Sequence, residues 1–144
     1  MAITSAICNS FKQEILEAEH NFATSGGNTF NLALYDSDAT LNKSTTVYTT
    51  SEELATTGGY TAKGNALTSV TPVLDSDTAV CDFSNSSWTS ASFTARGCLI
   101  FNDSHSSDAA VCAIDFGGDK TVTSGTFTIE FPAAAASTAI IQIA

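Results

Sequence analysis

The stretch TFNLALYD, residues 29–36, limits the fold more than any other feature of the chain. In it Phe30, Leu32 and Leu34 alternate with Asn31, Ala33 and Tyr35. A period of two sends successive side chains to opposite faces of an extended backbone, so the run reads as a strand with one face on a core. Runs of similar length follow at TTVYTT, NALTSV, TAVCDF, ASFTARGCLIFN, AAVCAIDF, GTFTIEF and TAIIQIA, divided by clusters of Gly, Asn, Asp and Ser. Those residues supply the turn conformations that join strands. About eight strands at this spacing predict a mainly β fold, an antiparallel β-sandwich or jelly roll.

One segment breaks the pattern. Ile7, Phe11, Ile15, Ala18 and Phe22 recur at helical spacing, which predicts an N-terminal α-helix over 5–22. Thr4 or Ser5 would cap its start, and Gly26-Gly27 would end it. The 144 residues then read as one domain, 1–144, with a helical arm over 5–22 and a β-sandwich over 28–144. The closing AIIQIA is apolar enough to predict pairing within a sheet or burial in a subunit contact.

Composition narrows the classes of function. A formal charge of −10 repels phosphate backbones and anionic headgroups, which disfavours direct contact with nucleic acid or membrane. Only 14% of residues are charged, whereas 39 are Ser or Thr, so hydroxyls must solvate much of the surface. The first residues show neither the basic region nor the apolar run of a secretion signal, and no stretch reaches the ~18–20 apolar residues of a spanning helix. The expectation is a soluble protein made in a cytoplasm. In that setting Cys8, Cys81, Cys98 and Cys112 are expected as buried free thiols, and the sequons at Asn42, Asn85 and Asn102 carry no meaning.

Each group able to do chemistry has a competing structural reading. The two histidines are His20 and His105. His20 follows the acidic segment EILEAEHNF near the expected helix end, where the backbone dipole favours a cation. His105 lies in NDSHSSD, a polar loop of hairpin type, and with Asp103 and Asp108 it could share a metal. The same composition serves a soluble turn, and that reading is preferred. Asp36 to Asn42 begins like a calcium loop, but Leu41 stands where such a loop needs glycine and Val47 where it needs a bidentate glutamate. Asp36 and Asp38 are read as ending a strand, and Asp75 and Asp77 as forming a turn. DFGGDK shares three letters with a kinase metal motif without the accompanying segments. Gly117-Gly118 predicts a hairpin turn at that point.

Arg96 is the only arginine. Among fifteen carboxylates, its planar fork is expected to clamp an acidic side chain on a neighbouring strand or subunit. Gly97 beside it marks a bulge or a close approach of another backbone.

The phrases LALYDSDATL, TVYTT, GGYTAKGNALT, TARGCLIFN, DFGGDKTVTSGTFTIEFP and AIIQIA together resemble small virion structural proteins of tailed bacteriophages. The likeness runs over nearly the whole chain and includes no catalytic motif. It implies a non-enzymatic particle component without cofactor or metal, made in the host cytoplasm and resident in the virion. The nearest role is a capsid decoration or cement protein that binds the major capsid protein and stabilises the shell. Such proteins commonly assemble as trimers, which would place Ile7, Phe11, Ile15, Phe22, Arg96, Ile140 and Ile141 in contacts between subunits. The alternatives are a neck, tail or fibre-base protein of the same particle, and a receptor or carbohydrate-binding module. Sugar recognition usually needs aromatic platforms, and here Trp88 is the one tryptophan, with Tyr35, Tyr48 and Tyr60 spread along the first half of the chain.

Overall fold

A computed structural model describes residues 2–144. Its elements are β1 (Ala6–Ile7), α1 (Asn9–Leu16), β2 (Phe30–Tyr35), β3 (Asn65–Ala66), β4 (Ser69–Asp75), β5 (Thr78–Phe83), β6 (Ser86–Asn102), β7 (Ala109–Ile129) and β8 (Ile141–Ile143). The strands form two antiparallel sheets, one ordered β1-β7-β6-β2-β3 and the other β4-β5-β8. The fold is therefore mainly β, with eight strands and one short N-terminal helix in a sandwich arrangement, as the strand periodicity predicts. No described helix is long and apolar enough to cross a membrane.

The helix is shorter than 5–22, and both of its ends lie elsewhere. Ala6 and Ile7 pair with Ala113 and Cys112 of β7, and the Ser5 hydroxyl accepts from the Asp115 N–H instead of capping a helix. At the other end Ala18 takes a left-handed conformation, φ 61°. The Glu19 N–H then reaches the Glu14 carbonyl at 3.0 Å and the Ala18 N–H reaches Ile15 at 3.4 Å, which closes the helix in a Schellman motif. The stop comes well before Gly26-Gly27. Phe22 nonetheless reaches the core, its ring 6.0 Å from that of Phe11 and stacked on Phe30 at 4.2 Å.

β2 is covered on both faces, not one, because all six of its residues are buried. Phe30 meets Phe22 and Phe83, which ties this strand to the smaller sheet. Tyr35, on the opposite face, donates to the Thr49 carbonyl at 2.6 Å, in the long connection between β2 and β3. That connection includes TTVYTT, which forms an isolated bridge from Val47 to Ala109 and no strand. It is fastened by the Glu53 carboxylate, which accepts from the hydroxyls of Tyr48 and Tyr60 and from the Lys63 N–H. At Gly64 the chain passes so near β2 that a Cβ would stand 1.8 Å from the Leu32 carbonyl oxygen, and φ there is +64°. No other residue fits both conditions.

β6 and β7 form one long hairpin closed by the 103–108 loop, with pairs from Asn102 and Ala109 out to Ser86 and Ile129. The expected turn at Gly117-Gly118 is absent: AAVCAIDF and all of GTFTIEF but its last two residues belong to a single strand. The glycines form a bulge instead. Ala95 pairs with Lys120 and Gly97 with Asp115, so Arg96 alone faces Phe116 to Asp119. Gly97 is also a close approach, since a Cβ there would lie 2.5 Å from the Ile114 carbonyl oxygen. NALTSV is divided between β3 and β4, whereas TAVCDF coincides with β5.

Candidate docking groove along β7

β7 pairs with β6 along its length, but on its other side β1 covers only Cys112 and Ala113 and Val47 bridges Ala109. Beyond these, no strand among the described residues pairs with that edge. Such an edge presents unpaired N–H and C=O groups to any extended chain that comes alongside. Its side chains alternate: Thr121, Thr123, Thr126 and Thr128 are exposed, while Val122, Phe127 and Ile129 are half-buried. Two of these threonines continue into cross-strand hydroxyl pairs, Thr121 with Thr94 at 2.8 Å and Thr128 with Ser87 at 2.9 Å.

Phe127 and Ile129 of that row line an apolar groove of about 520 Å³, with walls that also include Ile114, Phe116, Phe131 and Ile140. Lys120 and Glu130 stand at its margin, one charge of each sign. A second hollow of about 280 Å³ adjoins it through Ile114 and Ile140 and extends to Ile7. Together they form an apolar channel beside an open strand edge, a geometry that receives a polypeptide through main-chain hydrogen bonds and side-chain pockets.

Arg96 fixes the bulge at one end of this groove. Its Nε donates to Asp115 Oδ1 at 2.8 Å, and the Gly117 N–H donates to the same oxygen at 3.0 Å. The guanidinium, followed by the Gly117 N–H, holds the Asp115 carboxyl below the usual carboxylate range, and the pairing raises the Arg96 pKa in return. Arg96 thus clamps a carboxylate on the neighbouring strand, as the charge balance of the sequence predicts.

The other residues singled out from the sequence separate. Ile7 and Ile140 lie on the groove, and Ile15 lines a different apolar hollow near α1. Phe11, Phe22 and Ile141 belong to the core of this chain, which leaves Ile7, Ile15, Ile140 and the Arg96 bulge as the members placed for contact outside it. Phe116, Phe127 and Phe131 supply most of the groove's apolar wall and are absent from the sequence-derived set. Their positions in AIDF and TFTIEF were visible as strand, but periodicity does not distinguish a side chain packed inside from one left half-covered at an edge.

The polar candidates are engaged in structural contacts. His20 is buried, with Nε2 2.7 Å from Glu14 and Nδ1 accepting from Asn102 at 3.1 Å. His105 pairs with Glu19 at 3.2 Å, while Asp103 and Asp108 both bind the Lys63 ammonium, at 2.9 and 2.8 Å. The Asp103–His105–Asp108 trio is therefore divided, both aspartates turning to Lys63 and His105 to Glu19. Asp36, Asp38 and Glu52 bring carboxylate oxygens within 4.8 Å of one another at the surface. Asp75, at the β4–β5 turn, accepts from the Ala136 N–H at 2.7 Å and so fastens the segment before β8.

All four cysteines are free and buried, and burial pushes their thiols up, Cys8 to about 11 and Cys81 to about 12. Such thiols stay protonated and unreactive near neutral pH. The aromatic residues considered as sugar platforms are mostly interior: Tyr35, Tyr60 and Trp88 are buried, and Tyr48 stacks on Phe101 at 4.7 Å. Compared with known protein families, curated proteins and solved structures, the chain matches none of them.

Proposed function

We propose that this chain is a non-enzymatic structural protein of a bacteriophage virion, most closely a capsid decoration protein that binds between shell subunits and holds them together. The observation that carries the reading is the open edge of β7 with the apolar groove beside it. A strand or arm of the major capsid protein laid along that edge would satisfy its backbone groups and bury Phe116, Phe127, Ile129 and Phe131. Several such contacts on one particle add by effective concentration, so modest individual interfaces suffice to resist separation of the shell. The sequence resemblance points to the same class of role. A homo-oligomer, such as the trimer that resemblance implies, would raise the number of simultaneous contacts further.

The test uses particles that carry the protein. Wild-type chain added to particles depleted of it should rebind and raise the temperature at which the shell releases DNA. Phe127→Ser and Ile140→Ser, checked for retained folding by circular dichroism, should rebind at least about tenfold more weakly. Equal rebinding of both variants, or recovery of the protein only away from particles, would overturn the proposal. Labelling at the neck or tail would move the same interface to that location.

A further inference from the structure

A second uncovered apolar surface lies on the smaller sheet, away from the β7 groove. Leu74 pairs with Ala79, and Ala79 pairs with Ile143, so the three side chains stand in one row on one face. Two residues further along, Cys81 and Ile141 continue that face and are buried. The cover does not extend over the outer row: Leu74 is 74% exposed and Ile143 58%. Ala79 and Ile143 also line an almost wholly apolar hollow of about 170 Å³ whose opposite wall is Phe11 and Ile15 of α1. The next residue, Leu16, ends the helix 88% exposed. Ile143 on the hollow, Leu74 in the row beside it and Leu16 next in the chain to its Ile15 wall, all this open, mark a contact surface.

The flanking charges determine what can bind there. Residues 9–19 and 69–78 carry Glu14, Glu17, Glu19, Asp75 and Asp77 against one cation, Lys12. Glu14 is held by His20, Glu19 by His105 and Asp75 by the Ala136 N–H, which leaves Glu17 and Asp77 as the more open acids. With a net charge of −10 behind them, these groups disfavour both a second copy of the chain and an anionic lipid surface. They favour a ligand that brings its own positive charge.

We propose that the Ile15–Leu16–Leu74–Ile143 surface docks a basic, aliphatic segment of a partner polypeptide, with a leucine-type side chain in the hollow and lysine or arginine against Glu17 and Asp77. This second site does not rest on the virion reading, and its failure would leave the β7 groove untouched.

The experiment measures fluorescence anisotropy with the full chain and two synthetic amphipathic helices that share leucine positions, one with lysine and the other with glutamate on the polar face. The leucine–lysine peptide should bind, and less tightly as salt rises from about 0.05 to about 0.5 M. The Leu16→Ser/Leu74→Ser variant should bind it at least about tenfold more weakly with an unchanged melting temperature, because both side chains are already exposed. Glu17→Gln/Asp77→Asn should weaken binding and flatten its salt dependence. Should the serine variant lose stability, Leu16→Ser alone carries the same comparison. Undiminished binding by the serine variants, equal binding of the leucine–glutamate peptide, or a wild-type dimer in sedimentation that the serine substitutions dissociate would each overturn the proposal.

Discussion

Tyr60→Phe isolates a single oxygen atom that stands in for a missing backbone acceptor at a sheet edge. β3 pairs only with Asn31 and Leu32 of β2, and beyond them the 52–54 segment bridges Tyr35 and donates to the Leu34 carbonyl but takes no bond from the Leu34 N–H. The Tyr60 hydroxyl accepts from that N–H at 3.0 Å and donates to Glu53 Oε1 at 2.7 Å. Tyr60 is 2% exposed and Leu34 fully buried, so water cannot readily replace the oxygen. A buried donor left without a partner costs about 1–3 kcal/mol, and a lost bond to a charged acceptor a further ~1 kcal/mol where, as for half-buried Glu53, solvent and the Lys63 N–H compensate in part. The expected loss is about 2–4 kcal/mol. For a chain of this size that corresponds to a fall in Tm of roughly 6–15 °C. Urea unfolding followed by far-ultraviolet circular dichroism would measure it, with Tyr48→Phe as the control. Tyr48 is only half-buried and its hydroxyl contacts Glu53 alone in this network, so its loss should cost about 1 kcal/mol or less. A Tyr60→Phe loss below about 0.5 kcal/mol, or one no larger than the control, would refute the idea that this hydroxyl completes the sheet edge.

Three further predictions concern other parts of the structure. Arg96→Ala should loosen the β7 bulge, seen as faster amide exchange at Gly117 and Gly118, and should return the Asp115 pKa toward its ordinary value by NMR titration; because Asp115 is depressed in the folded chain, its stabilising share is present above the unfolded carboxylate pKa and lost as pH falls through the folded one. The three tyrosines all have pKa values pushed above the ordinary 10, chiefly by burial, so their stabilising share is complete below pH 10 and is lost as pH rises through the folded values. Absorbance at alkaline pH should therefore show no tyrosinate in the folded protein near pH 10, and ionisation together with unfolding; free ionisation of any one of them in the native state would contradict the burial. Ala18→Gly should raise stability by about 0.5–1 kcal/mol in urea unfolding, since glycine occupies the left-handed helix end without the strain that alanine bears.

Strand identity was legible wherever local chemistry was enough to decide it. FNLALY and TAVCDF coincide with β2 and β5, and AIIQIA does pair within a sheet. The failures occurred where a distant partner decided. Gly117-Gly118 has the composition of a hairpin turn, but β6 is long enough to hold both flanks in one strand, so the glycines became a bulge opposite Arg96. The helical stripe continued to Phe22 in sequence, but Ile7 was claimed by β7, and Phe22 reached the core from non-helical backbone. Of the candidate site, the sequence yielded Ile7, Ile140 and the Arg96 pair. It could not mark Phe116, Phe127 and Phe131, because whether an aromatic is enclosed or left at a margin depends on how far β1 runs alongside β7.

The pairing of Ala79 with Ile143 has a consequence for the order of assembly. The long β6–β7 hairpin can zip from its own loop outward, each contact drawing in the next. β8 must instead return to β5 across the whole of that hairpin, so the smaller sheet is completed only after the ribbon between them has been made. Closure of a loop that long should be the slow step, and a refolding chain would pass through a state with the ribbon formed and the β8-side edge of β5 still unpaired.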